Sequence, residues 1–311
     1  MAAPFTRASL GRGPAQVSYN AHTFFTRDDI AVDLGPEWKE VLCSMYGVVD
    51  KSIGDRVYKV PLKLWGAWEN LPDLFPSAVM TPVHGTSLFN PTTDVPLTVW
   101  ARNGDKVVFT NAAMSKVANL YLGVDSDLFS ADVEFTCIVG NTNNPEDANA
   151  YYTVSNSALT ESAFSKSAFK KVRWTGAWGA LAGFTAFVGQ KGFSINWQME
   201  AKPVGVDGYG TRDLALTKFV GGCTCVPIVP TMAQLEAQTA AQGVAFGSLL
   251  SGISGDLTLS GAGGGSVVLK NAGIIKHGYK FGIEPLRLGE VSWETTRGFA
   301  AGVAAAVGTV S

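Results

Sequence analysis

DLTLSGAGGGSVVLKNAGII, residues Asp256–Ile275, respells a phrase met earlier in the chain, PLTVWARNGDKVVFTNAAM at Pro96–Met114. Laying Leu97 on Leu257, 160 positions further on, aligns without a gap Thr98 with Thr258, Gly104 with Gly264, Val107 and Val108 with Val267 and Val268, Asn111 and Ala112 with Asn271 and Ala272, and Lys116 with Lys276. Upstream, GTSL (Gly85–Leu88) matches FGSL (Phe246–Leu249). Downstream, DVEFT (Asp132–Thr136) matches EVSWE (Glu290–Glu294). The gaps between these blocks are short, as loops would allow. Self-similarity over this length implies a duplicated unit and sets the architecture before any residue chemistry is considered.

Each copy of the phrase reads as a β-hairpin. Leu257–Ser260 and Val267–Lys270 are short strands joined by GAGGG, whose glycines accept the positive φ of a tight turn, and Asn103-Gly104 does the same work in the first copy. A phosphate-cradling role for Gly261–Gly265 fails on context, because neither a Lys-Ser/Thr pair nor a helix follows. Period-2 alternation recurs elsewhere. FSINWQME sets Phe193, Ile195, Trp197 and Met199 on one face; DVEFTCIV sets Val133, Phe135, Cys137 and Val139 against Asp132, Glu134 and Thr136; EVSWETT sets Val291 and Trp293 against Glu290, Ser292 and Glu294. Helical signals are few. Thr231 caps a segment that stops at Gly243, and a weaker counterpart, GAWENLPDLFP, precedes the first hairpin. The expected organisation is an N-terminal arm over 1–18, a first repeat over 19–140, a linker over 141–164, a second repeat over 165–298 and a C-terminal arm over 299–311.

Composition narrows the function. The 311 residues fit two domains, and 24 basic against 26 acidic residues leave a net charge of −2, without the basic footprint of a nucleic-acid reader. Charged residues are 16% of the chain, against roughly 25% in ordinary soluble domains, which points to surface covered by other protein. No uncharged apolar run reaches the length of a membrane-spanning helix, and Arg7 and Arg12 stand where a signal peptide would be apolar, so neither export nor membrane insertion is expected. Cys43, Cys137, Cys223 and Cys225 include a C-x-C but no C-x-x-C, and read as buried structural thiols of a reducing compartment.

Nothing in the sequence spells a catalytic constellation or a cofactor site. His22, His84 and His277 stand apart from one another, and G-x-S-x-G, H-E-x-x-H and a strand-borne G-x-G-x-x-G are all missing. The acidic pairs Asp28/Asp29 and Asp125/Asp127 read as loop charges rather than as cation or glycosidase sites. Trp65 and Trp68 beside Glu69, a faint carbohydrate-binding arrangement, read as packing residues.

Taken as a pattern, the twin phrases, the GTSLF and GSLL before them and VDGYGTRDLALTKF between the copies resemble the tail tube, or major tail, proteins of bacteriophages with long, non-contractile tails. The resemblance spans roughly Asp28 to Arg297. It implies a mainly β protein of two tandem tail-tube-like β-sandwich/barrel domains, each with a short flanking helix and a long loop, without enzymatic activity. Subunits of such proteins form rings that stack into a hollow tube around a tape-measure protein, end at terminator and baseplate proteins, and conduct DNA without binding it specifically. In single-domain members six copies make a ring, so three duplicated chains would suffice. The implied location is the virion tail, after synthesis in the host cytoplasm. Other virion or secretion subunits of this β type, such as a distal tail or baseplate hub protein or a type VI-like tube, are the alternative, followed by a carbohydrate-binding tail-fibre domain.

Two sets of residues carry the functional expectation. If the apolar faces of their strands pack inwards, Asp132, Glu134, Glu290 and Glu294 face outwards, either into a lumen or onto the exterior. Tyr46–Asp55 (Gly47, Asp50, Gly54) and Val204–Arg212 (Gly205, Gly208, Tyr209, Gly210) read as glycine-rich links between strands that reach neighbouring subunits.

Overall fold

The computed structural model describes residues 16–26, 30–35, 38–53, 56–67, 74, 85–101, 104–123, 128–147, 149–157, 173–179, 184–206, 210–228, 254–262, 266–278 and 289–295. They form sixteen strands: β1 Gln16–Tyr19, β2 His22–Thr26, β3 Trp38–Cys43, β4 Gly47–Ile53, β5 Tyr58–Ala67, β6 Leu97–Trp100, β7 Asp105–Phe109, β8 Asn111–Leu122, β9 Leu128–Ile138, β10 Tyr152–Asn156, β11 Trp174–Trp178, β12 Phe193–Val206, β13 Gly210–Cys225, β14 Gly255–Gly261, β15 Ser266–Lys276 and β16 Val291–Thr295. Fourteen belong to one antiparallel sheet in the order β10-β7-β6-β1-β2-β5-β9-β8-β12-β13-β16-β15-β14-β11, while β3 and β4 form a separate two-stranded hairpin. The protein is mainly β, as its alternating segments dictate. In β9, β12 and β16 the apolar positions read from the sequence are the buried ones: Val133, Phe135, Cys137, Phe193, Ile195, Trp197, Val291 and Trp293.

Strand pairing and chain continuity together trace two circuits through the sheet. In the first, β6, β1, β2, β5, β9 and β8 pair in turn, and β7, which runs into β8 with only Thr110 between, pairs back on β6. In the second, β14 pairs with β11, whose Gly176 bridges to Phe187. The strip 188–190 then bonds to 226–228 at the end of β13, and β13, β16, β15 and β14 complete the turn. The registers of the two circuits correspond. Tyr19 lies across from Leu97, its hydroxyl donates to the Ala112 carbonyl at 3.4 Å, and its ring stands edge-on to Phe135 at 4.7 Å. Trp178 lies across from Leu257, its Nε1 donates to the Ala272 carbonyl at 2.8 Å, and its ring stands edge-on to Trp293 at 6.4 Å. Leu97 with Leu257 and Ala112 with Ala272 are residues that the 160-residue offset aligns, and Phe135 with Trp293 are matched within DVEFT and EVSWE.

Volume is exchanged between the circuits at these positions. Val17 faces Phe24 in the first, whereas Gly176 faces Phe187 in the second, where a Cβ would come within 2.5 Å of the Phe187 ring. The second circuit fills that space with larger rings, Phe187 stacking on Trp293 at 5.6 Å and Phe184 standing edge-on to both Trp178 and Trp293. Cys137, Cys223 and Cys225 are free thiols inside this core, and burial raises each well above the ordinary thiol pKa, so they pack as small apolar groups. Cys43 is half-buried on β3.

Four expectations change. β1 begins at Gln16, within the stretch read as an arm, and buries Val17; four residues are too few to display a period. The stretch read as a linker contains β10, which pairs with β7 from Tyr152↔Phe109 to Asn156↔Asp105. Gly47–Ile53 is a strand rather than a link, and so are Val204–Val206 and Gly210–Arg212. Both hairpin strands were hidden because they bury no single face. The segment read as a helix from Thr231 to Gly243, and most of GAWENLPDLFP, lie outside the described residues; Gly66 and Ala67 end β5, and Leu74 is buried.

The aromatic-to-carbonyl bonds give a graded expectation. Trp178→Phe removes a buried hydrogen bond of good length and should cost about 1–3 kcal/mol, whereas Tyr19→Phe removes a longer one and should cost about 1 kcal/mol or less. Urea unfolding midpoints of the two variants should fall in that order.

Candidate functional site

Two features set this fold apart from a pair of independent barrels: the seam between the circuits, and the polar face that runs across it. β8 is paired on both edges. β9 lies on one, and β12 on the other, with Phe193↔Leu122, Ser194↔Tyr121, Ile195↔Leu120 and Trp197↔Val117 in register. Gly192 makes the approach possible, since it has φ +90° and a Cβ there would lie 2.2 Å from the Leu122 carbonyl oxygen.

The far end of the β12–β13 hairpin is also clasped by the first circuit. Leu88 N–H donates to the Leu214 carbonyl at 2.9 Å, Gly85 N–H to the Leu216 carbonyl at 2.7 Å and Leu216 N–H to the Thr86 carbonyl at 2.9 Å. Ser87 Oγ donates to the Asp213 carboxylate at 2.6 Å. The Arg212 guanidinium donates to the carbonyls of Gly140 and Asn143, each at 3.0 Å, using two prongs of its planar fork on one loop.

Register places the four carboxylates singled out from the sequence on one face. Partners in an antiparallel ladder point the same way, so Asp132 shares its side with Asn119. Asn119 accepts from Ser194 Oγ at 2.6 Å. Asn196, two residues on from Ser194, pairs with Gly222, and Gly222 pairs with Glu294. Glu134 and Glu290 follow by the two-residue period of β9 and of the chain entering β16. The reverse face carries Val133, Leu120, Ile195, Cys223 and Trp293, all buried. The outward face is therefore polar across β9, β8, β12, β13 and β16.

That face is charge-balanced, not acidic. Lys63 lies across from Asp132 and Lys116 across from Glu134. Lys59 approaches Glu134 at 3.9 Å, Lys276 lies 3.4 Å from Glu290, and Lys218 lies 3.0 Å from Glu200. Ala31, Pro61, Lys63, Lys116, Asp132 and Glu134 line an open cleft of about 370 Å³ on the first circuit. The lysines are legible in YKVPLKL, where Lys59, Pro61 and Lys63 alternate with the buried Val60 and Leu62.

The remaining candidates are dispersed. His22 opens β2 across from Tyr19, His277 follows β15, and His84 lies outside the described residues. Among the described residues no three of His, Cys, Asp and Glu gather as metal ligands, and no helix is long and apolar enough to cross a membrane. Of the residues expected to reach neighbours, Gly47 and Gly210 both have positive φ, Asp50 lies across from Val41 and Gly205 across from Thr211; Gly54, Gly208 and Tyr209 lie outside the described residues. No protein-family model matches the chain, and no curated protein is significantly similar to it.

Gly192 offers a test of the seam. Gly192→Val adds a β-branched side chain where φ is positive and the Leu122 carbonyl is already in contact, which should prise β12 from β8. Hydrogen exchange should then quicken at β8 and β12 but not at β1 or β14; uniform loss of protection would mean that Gly192 supports the whole fold.

Proposed function

We propose that this chain is a structural subunit that polymerises as stacked rings into the tail tube of a long-tailed bacteriophage, three chains to a ring. Each circuit is one tube domain of a tandem pair, with domains and arms divided much as the sequence suggests, except that the first domain begins at β1 and takes in β10 from the stretch read as a linker. The observation that carries the reading is the edge-to-edge pairing of β8 with β12. A seam that fuses two equivalent units into one sheet is a heterologous contact, and repeating such a contact around an axis closes a ring. Two units per chain then make six around the axis from three chains.

The polar outward face suits the wall of a conduit. A lumen studded with unpaired Lys and Arg would bind phosphates and hold DNA back. A face on which Asp132, Glu134, Glu290 and Glu294 are offset by Lys59, Lys63, Lys116 and Lys276 offers passing DNA little net attraction. The chain works as a wall with no chemistry of its own, and its partners are further copies of itself, a tape-measure protein within, and terminator and baseplate proteins at the ends.

Negative-stain microscopy of the purified protein is the test. Hollow stacked rings built from three chains each are expected. Isolated discs that never stack would favour a hub protein, and rings of six full-length chains would reject the pseudo-hexameric arrangement.

A further inference from the structure

The two ends of the large sheet are finished differently. At one end β11 is met by a further piece of the chain: Gly176 N–H donates to the Phe187 carbonyl at 2.7 Å, and Phe187 N–H to the Gly176 carbonyl at 2.8 Å. At the other end β10, YTVSN, pairs with β7 along one side and is the last strand. Thr110 N–H donates to the Tyr151 carbonyl and Ser157 N–H to the Gly104 carbonyl, each at 2.9 Å, and these two bonds fix which groups face β7. An antiparallel ladder without a register shift alternates, so Thr153 and Ser155 bond to Val108 and Lys106, while the N–H and C=O groups of Tyr152, Val154 and Asn156 point away from the sheet.

That outer edge is bare and unguarded. Among the described residues no backbone hydrogen bond reaches it, and Thr153 to Asn156 are exposed, Val154 to 64%. Strand edges are ordinarily protected by a lysine, a proline, a bulge or a covering loop. β10 carries no charge and no proline, and its register runs unbroken from Tyr152 to Asn156. Its start is flanked by the Tyr58 ring, which stands edge-on to Tyr151 at 5.9 Å and to Tyr152 at 5.5 Å.

The charges beside the edge define what it suits. The Arg56 guanidinium lies over the Tyr151 ring at 5.7 Å, and the Lys106 ammonium lies over the Trp100 ring at 5.1 Å. Both cations are half-buried, and among the described residues neither is held in an ion pair. A ring takes up one side of a cation and leaves its remaining N–H donors for an anion. Lys106 lies across from Ser155 and shares its face. The acid next to it, Asp105, is on the opposite face, where Asn156 Nδ2 donates to it at 2.7 Å. A strand laid along β10 would therefore carry alternate side chains past Lys106 on one face and past Val154 and Val107 on the other.

We propose that the outer edge of β10 is a docking site for an extended acidic segment of another protein, which adds a strand to the sheet. Its backbone pairs with the open groups of Val154 and Asn156, a carboxylate on the face of Ser155 meets Lys106, and a second acid meets Arg56 towards the Tyr151 end. Apolar residues alternating with these acids lie beside Val154 on the other face. Backbone pairing supplies the affinity and the two cations supply the choice of partner. The inference gives the chain a partner of its own chemical class and holds whether or not the chain builds a tube.

The test titrates the full chain with a labelled, end-blocked peptide of about eight residues, an ordinary strand length, in which Glu alternates with Val and Thr, and with the same peptide carrying Lys for Glu. Fluorescence anisotropy should show saturable binding of the acidic peptide, and amide exchange should slow at Val154 and Asn156. Val154→Pro removes an N–H that points away from β7, so it should leave the melting temperature unchanged while weakening binding about tenfold. Lys106→Glu, which touches no backbone bond, should weaken the acidic peptide about two- to fivefold and favour the Lys peptide. Equal binding of the two peptides by the wild type, protection away from β10, or full binding by a folded Val154→Pro variant would each overturn the proposal. So would self-association of the wild type that Val154→Pro abolishes, because the occupant would then be a second copy.

Discussion

The backbone pairing of β8 with β12, from Leu122 opposite Phe193 to Val117 opposite Trp197, is the contact on which the rest of the architecture depends. Without it β8 would present a bare strand edge, with N–H and C=O groups left to water or to another chain. Each ladder bond adds only about 1 kcal/mol net, so the seam is held as much by what accompanies it. Leu120 and Ile195 are buried behind it, Ser194 reaches Asn119 in front of it, and the Arg212 fork and residues 85–88 fasten the hairpin that extends beyond it. One edge is thereby satisfied within the chain.

The aromatic cores explain how two circuits can share a register while differing in composition. Tyr19 and Trp178 hold the same place by bonding to corresponding carbonyls, and the space that Trp178 and Trp293 take in the second circuit is recovered at Gly176, where the first has Val17. Hydrogen bonding sets the position of these rings and packing sets their size. That division lets sequences drift apart on either side of a fixed backbone pairing, and it is why the phrase around Leu97 and Leu257 remained readable when most of the chain did not.

What could be read from the residues follows the same logic. Strands that bury one face announce themselves by alternation, so β9, β12 and β16 were legible, as was the outward direction of Asp132, Glu134 and Glu294. Strands without a single buried face were not: Gly47–Ile53 exposes apolar residues on both sides and carries the glycine of a turn, so it reads as a loop. β1 is too short to show a period, and Gln16 is buried where a polar residue would be placed outside. The lysines that neutralise the outward face were visible in YKVPLKL, but their pairing with Asp132 and Glu134 depends on β5 lying beside β9, a long-range fact that no local pattern encodes.

A cryo-EM reconstruction of the assembled protein, computed without imposed symmetry, tests the central claim most directly. The account predicts three chains around the axis, each keeping the β8–β12 seam, so that six near-equivalent circuits surround the lumen. Circuits that part at the β8–β12 seam, or a ring of six full-length chains, would contradict it.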